Sequence, residues 1–182
     1  KNKYKALEVG AGWGFFSHLS KDYDINFTTI ELSKERSEFH KFLKLDNIND
    51  LKEAISNNMQ FDLIYSNQVL EHISDLNKFF DSCQKLLVIN GFFIAEYPSF
   101  NNYFHYLYRK NFYYNDKRTK ALEHLQLISD KGIQDFINKT DSFELIHKFP
   151  IRNYGDRIKL FFQNLTPAKF KGSGFVIARR IK

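Results

Sequence analysis

The sequence predicts an α/β fold with a mostly parallel sheet, and three observations carry that prediction. Short apolar runs such as Ala6, Leu7 and Val9, or Phe61 to Tyr65, fit buried parallel strands. They alternate with segments whose apolar residues recur at helical spacing, as at Phe79, Phe80, Cys83, Leu86 and Leu87. Three glycines, Gly10, Gly12 and Gly14, link the first strand to the first helix, a junction where the backbone needs positive φ or close approach.

Composition bounds the answer. A chain of 182 residues suits one domain, residues 1–182, with a sizeable core. Its 43% hydrophobic and 17% aromatic content belongs to a globular protein and excludes a disordered one. No apolar run approaches the ~20 residues of a membrane span, and no signal-peptide pattern opens the chain. One cysteine, Cys83, excludes an internal disulfide framework and fits a reducing compartment, so a cytoplasmic location is expected. The net charge of +6 raises the question of an acidic partner. The lysines are scattered, however, and the densest clusters are Lys169-Lys171 and Arg179-Arg180-Ile181-Lys182. A solvated basic surface accounts for them better than a nucleic-acid footprint.

The elements follow in order. The first helix opens at Phe15-Phe16-Ser17-His18-Leu19, and Ile25 to Glu31 reads as a second strand ending in an acid. Ser33 is placed to cap a helix over Lys34 to His40. Phe42-Leu43-Lys44-Leu45-Asp46 reads as a short third strand, with Asp46-Asn47 at its carboxyl end. A helix from Leu51 to Asn57 precedes the fourth strand, Phe61 to Asn67, and Glu71-His72 is expected to begin the outgoing helix. Asp75 caps the next helix, which Asn90-Gly91 is expected to close before a fifth strand, Gly91 to Pro98. Cys83 falls in that helix's apolar set and reads as packing. Ser129 caps a helix from Asp130 to Lys139; Phe143 to Phe149 and Gly174 to Arg179 complete the strands. Two stretches break the pattern, an aromatic one at 99–122 and a basic, aromatic one at 152–170.

The glycine spacing selects the chemistry. A dinucleotide fingerprint reads G-x-G-x-x-G, and a P-loop ends in Lys-Ser/Thr. Here Glu8 stands two residues before G-x-G-x-G, and no such pair follows. A carboxylate there repels phosphate and attracts a cation. Glu31 lies seventeen residues after Gly14, near the spacing at which such folds place a ribose-binding acid.

The E-x-G-x-G-x-G stretch from Glu8 to Gly14 resembles motif I of class I S-adenosylmethionine-dependent methyltransferases. The segment Phe61 to His72 resembles the FDxIxxxxVLEH signature of the small-molecule branch, and Leu86 to Pro98 its LLxxGGxxxxxxP step, with Asn90 in place of the first glycine. The resemblance implies a Rossmann-like three-layer sandwich, with a seven-stranded, mostly parallel sheet and an antiparallel last strand. It implies S-adenosyl-L-methionine as cofactor and S-adenosyl-L-homocysteine as product. By position, Glu8, Gly10, Ala11, Gly12, Glu31, Leu32, Asp46, Asn47, Asn67 and Gln68 would form the cofactor site. The stretches at 99–122 and 152–170 would act as lids over an acceptor pocket. Family members commonly carry helices before motif I, so either this chain lacks them or it is part of a longer protein with an additional N-terminal segment or domain.

A histidine poised near neutral pH suits removal of a proton from an acceptor. The candidates are His124, in an H-L-x-x-x-S step, then His72, then His105; each also has a purely structural reading. No metal-ligand spacing is visible, and no metal is expected. The N-P-P-Y type motif of base amino-methyltransferases is absent after the fourth strand, where Ser66-Asn67-Gln68-Val69 stands. The expected function is methyl transfer to a small-molecule acceptor at oxygen, nitrogen or carbon. An RNA- or protein-directed methyltransferase and a non-catalytic cofactor-binding domain of a larger protein are the alternatives.

Overall fold

The computed structural model describes residues 4–99, 125, 126, 128–146 and 173–182. Its strands are β1 (Tyr4–Val9), β2 (Ile25–Ile30), β3 (Asp46–Ile48), β4 (Phe61–Asn67), β5 (Leu87–Pro98), β6 (Phe143–Leu145) and β7 (Ser173–Arg180). Its helices are α1 (Phe15–Leu19), α2 (Lys34–Phe42), α3 (Leu51–Ser56), α4 (Leu76–Leu86) and α5 (Asp130–Lys139). The strands form one sheet in the order β3-β2-β1-β4-β5-β7-β6. Pairing is parallel from β3 to β5, and β7 runs antiparallel to both β5 and β6. The expected seven-stranded, mostly parallel sheet is the observed one.

Alternation along the strands divides the core between two faces. Leu7, Val9, Ile64 and Phe93 join Ala54 of α3, Phe79 and Phe80 of α4, and Ile133 and Ile137 of α5. Ala6, Phe27, Tyr65, Ile94 and Ile177 form a smaller cluster on the other face, where Phe16 of α1 packs. Helices therefore cover both faces, giving three layers. Cys83 is fully buried in the larger cluster, and burial pushes its thiol pKa up, so it is a core residue as expected. Asp62 joins β4 to β1 by accepting the Lys5 N–H at 2.9 Å. The expected caps Ser33, Asp75 and Ser129 each accept a backbone N–H in the first turn of their helices.

Three expected boundaries are corrected. The third strand is not Phe42–Asp46: α2 runs on to Phe42, Lys44 takes φ +54, and the strand begins at Asp46. The alternating Phe42, Leu43 and Leu45 imitate a strand, yet Phe42 is exposed and stacks on Phe39 of its own helix. The Asn90-Gly91 pair does not close α4, which ends at Leu86 and passes directly into β5. Asn90 instead takes φ +67 inside β5, and a Cβ on Gly91 would lie 2.9 Å from the Val88 carbonyl oxygen. The pair belongs to an irregularity in the strand, where β4–β5 register shifts between Phe61 and Leu63. Glu71 and His72 do not begin a helix but form a single 3-10 turn, Leu70–His72, because Ile73 returns to extended backbone. The sixth strand is described over Phe143–Leu145, and residues 147–149 of its expected span lie outside the described residues. So do nearly all of the stretch at 99–122 and all of that at 152–170, with His105 and His124. Among the described residues, no helix is long and apolar enough to cross a membrane.

Candidate functional site

In this sheet the connections turn opposite ways from β1, toward β2 on one side and β4 on the other. Open α/β sheets place ligands outside the carboxyl ends of the strands at such a point. The glycine loop, Glu31 and Asn67-Gln68 all lie there, following β1, β2 and the end of β4.

The loop is shaped by left-handed backbone at Gly10, Gly12 and Gly14, with φ of +72°, +57° and +75°. The three glycines answer to different neighbours. A Cβ at Gly10 would strike the Val69 side chain, and one at Gly14 would lie 2.7 Å from Leu45 Cδ1 and 2.8 Å from His40 Cδ2. Among the described residues, a Cβ at Gly12 would meet nothing within 4 Å. Gly10 and Gly14 are therefore constrained by protein packing, whereas Gly12 opens onto free space.

Glu31 secures that opening. Its Oε2 accepts the Gly12 N–H at 2.8 Å, and its Oε1 accepts the Ser33 N–H at 2.7 Å. Arg36 lies 3.8 Å from Oε1. Each carboxylate oxygen has two acceptor positions, so both retain one for a further donor. Leu32, beside it, is 88% exposed, an apolar surface at the strand ends.

Glu8 has a different environment. It is 4% exposed, and its Oε2 accepts the Ser17 hydroxyl of α1. Burial pushes its carboxyl up to about 7, with the Ser17 bonds opposing the shift. Glu8 thus ties the end of β1 to α1 beneath the loop. Asp46 is exposed, and its carbonyl accepts the Thr29 hydroxyl at 3.0 Å. The Asn47 amide nitrogen lies 2.9 Å from His40 Nδ1 and 3.3 Å from Thr29 Oγ1. Asn67 and Gln68 are exposed at the end of β4, and Gln68 takes φ +54, a strained conformation for a side-chain-bearing residue.

His72 stands on the turn after β4, 42% exposed, with its Nε2 3.9 Å from Glu71 Oε1. Glu71 is 1% exposed, neither carboxylate oxygen has a hydrogen-bond partner among the described residues, and burial raises its pKa. The Leu125 and Gln126 N–H groups donate to the Glu71 carbonyl at 2.8 and 3.0 Å, and Gln126 Nε2 donates to the Ile73 carbonyl at 2.9 Å. The chain just after His124 is thereby fastened to the turn that carries His72.

Sequence reasoning missed two polar side chains in this region, Ser17 and His40. His40 is fully buried, with Nε2 2.9 Å from the Gly12 carbonyl oxygen. No motif marks either residue, and their partners lie 9 and 28 positions away. Among the described residues, no group of three or more His, Cys, Asp or Glu side chains is arranged to hold a metal ion.

Comparison with known proteins bears on the same site. Residues 1–171 match the family model described as a methyltransferase domain. A ubiquinone biosynthesis O-methyltransferase of Pelagibacter ubique (strain HTCC1062) is 32% identical over 98 residues, which cover 50% of this chain. That alignment spans only 41% of the relative's length. The crystal structure of an S-adenosylmethionine-dependent methyltransferase from Mesorhizobium loti superposes with TM-score 0.66 at 14% identity, covering 98% of this chain and 92% of that one. The plantazolicin methyltransferase BpumL, solved with a triazolic desmethylPZN analog and SAH, gives TM-score 0.71 at 13% identity, covering 100% of this chain and 78% of that one. Such identities speak for the fold, and the family match extends over most of the chain. With the fold of S-adenosylmethionine-dependent methyltransferases and a family model matched from its first strand onward, the chain belongs to the methyltransferase domain family.

Proposed function

We propose that this chain transfers a methyl group from S-adenosyl-L-methionine to a small-molecule acceptor, releasing S-adenosyl-L-homocysteine. The observation that carries the reading is Gly12: a left-handed glycine whose N–H is held by Glu31 and whose missing side chain leaves open space. A loop packed only against protein would have no need of that opening.

The residues present fit the cofactor. Glu31 has two acceptor positions left for a pair of ribose hydroxyls. Gly12 offers a backbone with no side chain in the way, Gly10 and Ala11 would flank it, and Leu32 would give an apolar face for the adenine ring. Asp46 and Asn47 would border the adenine edge, Asn47 with its amide already engaged by His40. Asn67 and Gln68 would border the methionine portion, with Glu8 neutralising charge from beneath the loop when ionised. The bound cofactor supplies an electrophilic methyl on a sulfonium, a leaving group that needs no acid. The chain's part is then to orient the acceptor, keep water out and, for a hydroxyl or ammonium, take a proton. His72, backed by the Glu71 carboxyl, and His124 are the candidate bases.

An oxygen acceptor is the reading that the ubiquinone biosynthesis O-methyltransferase favours, and a small molecule accords with the scattered lysines better than a nucleic acid does. We place the activity in the cytoplasm, following the single buried cysteine. The test is a screen for transfer of labelled methyl from S-adenosylmethionine to phenols, catechols, amines, RNA and protein. Labelling of a phenol or catechol supports the reading, and labelling confined to RNA or protein overturns it.

A further inference from the structure

We propose that His40 is a positioning residue for the cofactor loop: its imidazole clamps the Gly12 carbonyl and links the loop to β3. This rests on the loop being the cofactor site. The sheet places β2 between β1 and β3, so no ladder joins the glycine loop to the Asp46-Asn47 edge. The His40 side chain, from α2, spans that gap with no exposed surface.

With the Asn47 amide nitrogen facing the ring, the hydrogen-bond geometry places the protons of the imidazole. The Gly12 carbonyl can only accept, so His40 Nε2, 2.9 Å away, carries a hydrogen. The Thr29 hydroxyl has one proton and stands 3.0 Å from the Asp46 carbonyl, which also only accepts. His40 Nδ1 lies as near, 3.0 Å from Thr29 Oγ1, and the Asn47 amide nitrogen, a donor, lies 2.9 Å from it, so Nδ1 accepts. The imidazole is thus the neutral Nε2–H tautomer, fixed by a hydroxyl, an amide and two carbonyls.

Gly12 is consequently held from both sides, its N–H by Glu31 and its C=O by His40, in a backbone conformation at φ +57 that a free loop would leave. Gly14 completes the arrangement, because any side chain there would collide with the His40 ring. A ligand-binding loop so restrained loses less conformational freedom when it binds. A carbonyl left without its buried donor would turn elsewhere and take the Gly12 peptide with it.

The test combines nuclear magnetic resonance of the unmodified chain with two variants. Long-range ¹H–¹⁵N correlation should show His40 as the neutral Nε2–H tautomer without ligand; an Nδ1–H tautomer overturns the clamp. By calorimetry, His40→Leu should weaken S-adenosylhomocysteine binding ~10-fold to ~100-fold, while His40→Gln, which restores an N–H near the same place, should recover most of it. With an acceptor identified, the KM for S-adenosylmethionine should rise and kcat hold. Unchanged affinity in a folded His40→Leu overturns the proposal. So does an affinity loss in both variants that merely follows their loss of thermal stability. If the unmodified chain binds no S-adenosylhomocysteine, the cofactor reading fails, and the tautomer still reports on the clamp by itself.

Discussion

The two sides of the strand ends differ in how their buried polar groups are satisfied. On the side of β1, β2 and β3, Glu8 is bonded to Ser17, Glu31 to two backbone N–H groups, and His40 to Gly12 and Asn47. On the side of β4 and β5, Ser66 Oγ, Ser99 Oγ and both oxygens of Glu71 are buried without a hydrogen-bond partner among the described residues. Buried polar groups are costly when unpaired; among the described residues the first side is satisfied by the chain itself, and the second carries four buried oxygens without a hydrogen bond. The difference matches the division of labour proposed here. A cofactor common to a family can be met by a rigid, self-satisfied cradle, whereas an acceptor must be met by groups not yet committed.

The most severe way to break the comparison is at Gly12. Gly12→Val should abolish measurable S-adenosylhomocysteine binding, because the branched side chain fills the space that, of the loop's three glycines, Gly12 alone leaves open among the described residues. Its thermal stability should fall modestly, by the left-handed backbone penalty of about 1–2 kcal/mol. Gly14→Val should do the reverse in order of severity, unfolding the chain by collision with His40 and Leu45. Equal loss of stability in the two variants would erase the distinction drawn between them.

On the acceptor side, His72→Ala and His124→Ala separate base from scaffold. Whichever histidine takes the proton should lower turnover by ~10²–10⁴-fold with cofactor affinity nearly intact. A variant that loses cofactor affinity instead belongs to the cradle.

Glu8 offers a pH test. Burial holds its folded pKa at about 7 against an ordinary 4.5, so the folded chain binds that proton more tightly than the unfolded chain. The contribution to stability is complete below pH ~4.5 and is lost as pH rises through ~7. Glu8→Gln keeps an acceptor for Ser17 without the ionisation. It should be more stable than the unmodified chain at pH 8, by at most ~3 kcal/mol, with the gap closing toward pH 5 in urea unfolding. A gap independent of pH would contradict the buried, proton-holding carboxyl.

The smallest expected effect sharpens the other half. Glu71→Leu removes two buried oxygens that accept no hydrogen bond among the described residues, and should raise stability by ~1–3 kcal/mol while lowering turnover. Destabilisation in thermal unfolding would mean that Glu71 is already satisfied.

What was legible in the sequence follows from what constrains it locally. The glycine loop and Glu31 could be read because positive φ leaves a glycine signature and a strand end leaves an acid at a set distance. The individual strands could be read from apolar runs whose burial on both faces is recorded in the composition itself, whereas their order in the sheet came only with the structure. The third strand was placed too early, because Leu43 and Leu45 alternate like a strand just after Phe42 finishes α2. Asn90-Gly91 has the chemistry of a helix end but serves a strand irregularity, and only the β4 partner reveals which. His40 and Ser17 were invisible for a different reason: their roles reside in partners brought close by the sheet.

The central claim, a cofactor held at the carboxyl ends of β1 and β2 by Glu31, is tested most directly by titrating S-adenosylhomocysteine into the unmodified chain and into Glu31→Ala. The account predicts binding by the former and, in the variant, a loss of ~1.5–3 kcal/mol for each ribose bond removed, with the fold preserved. Equal affinity in the two proteins would contradict it.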